Sequence, residues 1–131
     1  MKPDRIAELL YEALKHEYTM YVDDILKTVG FLLVALGWLL TSETARKALR
    51  IRGTNTLAAI CAAVVTSNII FLLVGHYLRA RRIEDSLTTM APEMHDLIAN
   101  YAIQPVHLLI NALALGPLVV LLLAVIWRLR D

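Results

Sequence analysis

The chain has few charged residues, few aromatic residues and a single cysteine. Charged side chains make up 19% of its 131 residues, against about 25% in a typical soluble domain. The one cysteine, Cys61, excludes an internal disulfide and the cysteine-rich metal motifs. A net charge of +1 provides no basic excess for nucleic acid, so we expect no nucleic-acid partner.

The charged residues that are present are confined to part of the chain. Three windows, residues 28–42, 53–78 and 97–127, contain no Asp, Glu, Lys or Arg. Hydrophobic residues make up 58% of the sequence. A helix crosses a hydrocarbon core of about 30 Å with about 20 apolar residues. The sequence therefore predicts an all-α, multi-pass integral membrane protein whose first partner is the lipid bilayer.

We predict three transmembrane helices within a single membrane domain, residues 1–131. They span about residues 25–41, 57–78 and 103–127. The first of these places Asp24 and Lys27 at its edge, because only 15 uncharged residues separate Lys27 from Glu43.

Two amphipathic helices are predicted beside the spans. Residues 4–27 place their apolar side chains on one broad face at helical spacing and lead into the first span. That helix has two placements open to it, flat on the bilayer or packed on a protein partner. The other lies in the second loop, within residues 79–102, where Pro92 suits a first helical turn.

Membrane orientation depends on Lys and Arg residues in the short loops. With three spans, one side carries seven of them and the other carries six. The first 24 residues hold nine charged side chains and no apolar centre, which is unlike a secretory signal. Because translocating such a segment is unusual, we expect the amino terminus to be cytoplasmic.

A polar seam is predicted along the third span. On a continuous helix, Asn100, Gln104, His107 and Asn111 fall within an arc of about 80° together with Asp96. Such a stripe faces protein or water rather than lipid. It is consistent with interhelical hydrogen bonds inside the chain, or with the lining of an oligomeric ion channel or transporter.

The second span has its own polar residue, Asn68, near the middle. If Asn100 and Arg79 mark the same membrane surface, Asn68 and Asn111 lie at equal depth. We therefore predict that the two amides face each other or one shared partner.

Small residues predict close helix packing in the first two spans. In membrane helices, small side chains at regular spacing let two backbones approach. The pattern indicates association within the chain or between copies. The residues concerned are Gly30 and Gly37 in the first span, and Ala59, Ala63 and Ser67 in the second.

Prolines predict an interruption of the third span. Pro105 and the Gly116-Pro117 pair each remove a helical hydrogen bond. The interruption accommodates a long segment, or it forms a hinge of a gate or transporter.

Two acidic residues break the apolar pattern of the amino-terminal helix. Glu17 and Asp24 are seven residues apart in the centre of its apolar face. Carboxylates in such a place persist mainly when they are paired. We predict ion pairs with the arginine cluster after the second span, Arg79 or Arg82. The alternative is a rotated or broken helix that leaves both acids in water.

Two histidines suggest a cofactor alternative. His76 and His107 lie one turn inside antiparallel spans, near the same membrane surface, and two such residues can ligate haem iron. The chain resembles the small haem or quinone anchors of respiratory dehydrogenases in size and number of spans. Histidines at an interface usually bind water or headgroups, so we expect neither a cofactor nor a metal.

Enzyme motifs are missing from the sequence. It contains no nucleophile elbow, no phosphate-binding glycine loop and no paired-histidine motif of a zinc protease. We expect a non-enzymatic protein that acts by helix association, as a homo-oligomer or as an accessory subunit of a membrane complex. The alternatives are the channel subunit lined by the polar seam and the haem or quinone anchor.

Overall fold

A computed structural model describes residues 3–51 and 53–129, and all regular elements within those ranges are helical. Lys2, Arg52 and Arg130, which enter the comparison of loop charges, lie outside the described residues. The elements in chain order are α1 (Pro3–Thr41), α2 (Glu43–Leu49), α3 (Thr54–Met90), a 3-10 turn (Pro92–Met94), α4 (His95–Ala99) and α5 (Pro105–Arg128).

Three of these helices, α1, α3 and α5, are long and apolar enough to cross a membrane. The protein buries only 17%, 6% and 17% of their most apolar stretches, respectively. Apolar surface of this extent is what a bilayer covers. The prediction of an all-helical chain with three apolar helices is confirmed, and it indicates a multi-pass membrane protein.

Local sequence explains where the first helices end. Ser42 adopts an extended backbone and its hydroxyl accepts a hydrogen bond from the Ala45 amide at 3.2 Å, which caps α2. Gly53 has a φ of +98°, a left-handed conformation that glycine adopts without steric cost. The chain can therefore turn directly into α3 at Thr54.

Packing divides the chain into two compact units. Unit 1 comprises Met1–Ile25 and Leu72–Leu108, and unit 2 comprises Leu26–Phe71 and Leu109–Asp131. The long helices α1 and α3 contribute one segment to each unit.

Unit 1 has a well-buried apolar core. Leu14 of α1 and Leu87 of α3 have no exposed surface. Ala7, Leu14 and Tyr21 are all buried and recur every seven residues, the spacing at which a helix returns to the same neighbour. The amino-terminal part of α1 therefore packs against the rest of unit 1.

The amino-terminal helix runs into the first span without a break, and the predicted boundaries differ from the observed ones after the second span. Residues 4–27 and 25–41 form the single helix α1, and α3 continues twelve residues past the predicted end of the second span, to Met90. The segment 79–102 is therefore not one amphipathic helix. It is shared by the end of α3, the 3-10 turn that begins at Pro92, and α4.

Unit 2 buries side chains from α1, α2, α3 and α5. On α1 these are Leu32, Leu36 and Leu39, and on α5 they include Ile126. Asn55, a buried polar residue in the first turn of α3, donates from Nδ2 to the Ile126 carbonyl. This hydrogen bond fixes the start of α3 against the end of α5.

Candidate functional site

A cluster of charged side chains lies between α1 and α3 in unit 1. His76 of α3 is buried, and its two ring nitrogens contact two different carboxylates of α1. Nδ1 lies 2.7 Å from Oε2 of Glu17, and Nε2 lies 2.9 Å from Oδ2 of Asp24. The imidazole ring therefore bridges two acidic residues that are seven positions apart.

Arg79 completes this cluster. Its Nε donates to Oε1 of Glu17 at 3.1 Å, and its Nη2 lies 3.0 Å from Nδ1 of His76. A Cβ at position 75 would lie 3.3 Å from Nη1 of Arg79. Gly75 thus provides the space in which the guanidinium group lies. We call Glu17, Asp24, His76 and Arg79 the charged cluster.

Helical spacing explains how the cluster forms. Seven residues are about two turns, so Glu17 and Asp24 lie on the face of α1 that carries the buried Leu14 and Tyr21. His76 and Arg79 are three residues apart and share a face of α3 for the same reason. The apolar contacts of unit 1 thus bring the two acids and the two basic residues together.

The cluster includes three of the four residues predicted to form ion pairs. The structure brings Glu17 and Arg79 together, but the partner of Asp24 is His76. Arg82 is exposed on α3. The sequence argument missed His76 as a partner of the acids, although two carboxylates two turns apart need a donor that can reach both.

Three ring nitrogens of the two candidate haem ligands have polar contacts among the described residues. Both nitrogens of His76 contact carboxylates. Nδ1 of His107 accepts a hydrogen bond from the Gln104 amide at 3.0 Å, which caps the first turn of α5. An accepting Nδ1 places the ring proton on Nε2, the other candidate ligand atom. The haem alternative stays a prediction.

The polar seam is not continuous. α4 ends at Ala99 and α5 begins at Pro105, so Asp96 and Asn100 are not on the same helix as His107 and Asn111. Ala102 in the intervening segment is buried. The prediction of one stripe along one helix is therefore wrong, because it assumed helix through residues 100–104. Gln104 and Asn100 are exposed, while His107 and Asn111 are half-buried.

Asn68 lies on the side of α3 that faces away from the rest of unit 2. It is exposed, between the exposed side chains of Val64 (62%) and Phe71 (77%). The side that packs inside the chain carries Asn55, Ala62 and Thr66 instead. We call the exposed side the outer face of α3; it comprises Leu57, Ile60, Cys61, Val64, Ser67, Asn68 and Phe71.

The outward position of Asn68 bears on its predicted pairing with Asn111. Asn111 is half-buried, whereas Asn68 projects from the outer face. The pairing of the two amides stays a prediction. Asn68 is accessible to a hydrogen-bond partner from another chain.

The small residues have different surroundings. A Cβ at Gly30 or Gly37 would meet open space among the described residues, so neither glycine marks a close contact within the chain. Ala59 is half-buried, Ser67 belongs to the outer face, and Ala63 is exposed beside that face. Close packing at these positions stays a prediction.

The predicted hinge residues have separate roles. Pro105 is the first residue of α5, a position where the missing N–H is not needed. It begins a helix rather than kinking one, and its role in a hinge stays a prediction. Gly116 and Pro117 lie inside α5, which continues to Arg128.

Comparisons with protein families, with characterised proteins and with solved structures find no match for this chain.

Proposed function

We propose that this chain is a small, non-enzymatic membrane protein that works by helix association, as a homo-oligomer or as an accessory subunit of a larger membrane complex. In this proposal the contact surface is the outer face of α3. The polar residue Asn68 is its centre.

The observation that carries the proposal is the exposure of Asn68 in an apolar surrounding. Asn68 lies about 15 Å from either end of the predicted span 57–78, so it sits near the middle of the hydrocarbon core. A side-chain amide exposed to lipid has no hydrogen-bond partner there, which is costly. A helix from another chain would supply that partner.

Neighbouring side chains support the same surface. Ala63 and Ser67 are small and exposed, and small residues let a second backbone come close enough for interhelical hydrogen bonds. An identical amide is a suitable partner, because asparagine both donates and accepts. Two copies related by a twofold axis would place their Asn68 side chains opposite each other.

The native cysteine provides a direct test for copies of the chain. Cys61 is exposed on the outer face, seven residues before Asn68. Mild oxidation in native membranes should give a disulfide-linked dimer if two outer faces meet. Asn68→Leu should reduce this crosslink, and Asn100→Leu, which replaces an exposed amide outside the helices, is the matched control.

Native mass spectrometry after mild extraction separates the two modes of association. A homo-oligomer gives a fixed multiple of the chain mass, and an accessory subunit gives a fixed stoichiometry with another membrane protein. Either assembly should weaken in Asn68→Leu. The proposal fails if this variant, still helical, keeps the wild-type assembly, or if the wild type is a monomer that carries only lipid.

We also propose a cytoplasmic amino terminus, supported by the charged segment before the first span. Labelling Asp4→Cys in a Cys61→Ala background tests this placement. A membrane-impermeant maleimide should label the variant after permeabilisation of the cells. Equal labelling of intact cells would place the amino terminus outside.

A further inference from the structure

His76 can serve both carboxylates of the charged cluster only with two ring protons. A neutral imidazole has one N–H and one lone pair, so it donates to a single carboxylate. The distances of 2.7 Å to Glu17 and 2.9 Å to Asp24 are both hydrogen-bond lengths. The imidazolium form donates to both acids at once.

The charge balance of the cluster favours the same form. With ionised acids and a neutral His76, the cluster carries a net negative charge, since Arg79 offsets one carboxylate. The side chains of His76, Glu17 and Asp24 are only 7%, 19% and 26% exposed. A positively charged donor in direct contact strengthens the hydrogen bond to a partly buried carboxylate. A second positive charge on His76 makes the cluster neutral.

The 3.0 Å contact between Nδ1 of His76 and Nη2 of Arg79 places two positively charged groups side by side, a repulsion that the Glu17 carboxylate they share offsets. Nε of Arg79 donates to Oε1 of Glu17, and a protonated Nδ1 of His76 donates to Oε2. The two cations thus use opposite oxygens of one carboxylate. If Nδ1 instead accepted a hydrogen bond from Nη2 of Arg79, its lone pair would also face Oε2 of Glu17 at 2.7 Å. That contact is favourable only if Glu17 is protonated.

Other titratable side chains of unit 1 lie on the elements packed around the cluster. Among the described residues, the ring nitrogens of His76 contact Glu17 and Asp24 from α1 and Arg79 from α3. Tyr21 is buried on the same face of α1. The segment after α4 contributes Tyr101, whose ring contacts the rings of Tyr11 and Tyr18, and His107 is bound to Gln104.

We propose that His76 is a proton-binding site that clamps α1 to α3 in unit 1 when it is charged and releases the clamp when it loses its proton. The clamp also requires ionised carboxylates. It therefore exists only in the state in which His76 is protonated and both acids are ionised. This switch is independent of the outer face of α3.

Nitrogen NMR of histidine-labelled full-length protein in nanodiscs tests the protonation state directly. The spectrum distinguishes an imidazolium from either neutral tautomer, and the His76 signal is assigned as the one retained in His16→Gln, His95→Gln and His107→Gln variants. We expect an imidazolium at intermediate pH. A neutral tautomer throughout the pH range over which the protein is folded would overturn the proposal.

Hydrogen exchange tests the clamp. In the wild type, the backbone amides of residues 14–25 in α1 should exchange about tenfold faster once the His76 signal shows a neutral imidazole. The rates are first corrected for the pH dependence of intrinsic exchange. His76→Gln should remove this step, while His95→Gln, at an exposed histidine, should retain it. A step that persists in His76→Gln would overturn the proposal. If that variant does not fold, the NMR measurement on the wild type still decides.

Discussion

Glu17 and Arg79, 62 positions apart in the chain, are joined by a hydrogen-bonded ion pair of 3.1 Å between Oε1 and Nε. The second oxygen of Glu17 contacts His76 at 2.7 Å. One carboxylate of α1 therefore holds two consecutive basic side chains of one face of α3. This arrangement makes Glu17 the central residue of the charged cluster.

A double-mutant cycle should detect the pair between Glu17 and Arg79. The side chain of Arg79 is 53% exposed, so solvent screening limits the coupling free energy to about 1 kcal/mol or less. We expect Glu17→Gln and Arg79→Gln together to destabilise unit 1 less than the sum of the two single changes. The measurement is the free energy of unfolding in mild detergent.

Arg82 provides the control for this cycle, because it is an exposed arginine on the same helix. Glu17→Gln combined with Arg82→Gln should be additive. Equal coupling of Glu17 to both arginines would show that long-range charge, rather than the contact, is responsible.

Truncation of the unit 1 core should be costly. Leu14→Ala and Leu87→Ala each remove a side chain that has no exposed surface. Each should lower the free energy of unfolding by about 2–5 kcal/mol, because a cavity remains. Leu9→Ala, at an exposed position of the same helix, should change it by less than about 1 kcal/mol. Similar losses for Leu9 and Leu14 would contradict a packed core around α1.

Tyr101 should stabilise unit 1 through its ring. Its centroid lies 5.9 Å from that of Tyr11 and 5.8 Å from that of Tyr18, both in edge-to-face geometry. Tyr101→Leu should cost about 1–3 kcal/mol in the free energy of unfolding, since aromatic pairs contribute about 0.5–1.5 kcal/mol each. Tyr101→Phe keeps the ring and should retain most of this stability. Equal losses in the two variants would assign the effect to the hydroxyl.

Asn55 should be the most sensitive polar residue of unit 2. Asn55→Ala leaves the carbonyl of Ile126 without its donor, and an unsatisfied buried group costs about 1–3 kcal/mol. Thermal unfolding followed by circular dichroism measures the loss. Thr56→Ala, at the exposed neighbouring position, should stay within about 0.5 kcal/mol. No difference between the two variants would refute this role.

The break between α4 and α5 has a local cause in the sequence, the proline at position 105, which the helical periodicity of the polar residues outweighed in the prediction. Gln104 precedes Pro105, and a residue before proline is disfavoured from helical backbone geometry. The polar side chains of residues 96–111 nevertheless match a helical period, so the seam was predicted as continuous. Ala102 and Ile103 are buried instead in unit 1, and their packing stabilises the non-helical segment.

The charged cluster was predictable in part. Two acids on an apolar helical face require partners, and this requirement drew attention to Glu17, Asp24 and Arg79, which the structure brings into one cluster. The assignment of Asp24 to His76 depends on the relative rotation and register of α1 and α3. No local pattern near position 76 contains that information, because the two residues are 52 positions apart.

The sequence by itself determined the all-helical class and the three apolar helices, because the ability to cross a bilayer is a sum over about 20 consecutive residues. Tertiary structure alone decided that the amino-terminal helix packs on α3, that His76 bridges Glu17 and Asp24, and that Asn68 faces outward. Each of these facts depends on which side of a helix meets its neighbour. Contacts between distant residues set that rotation, and apolar residues surround α3 on nearly every side, so its own pattern does not specify it.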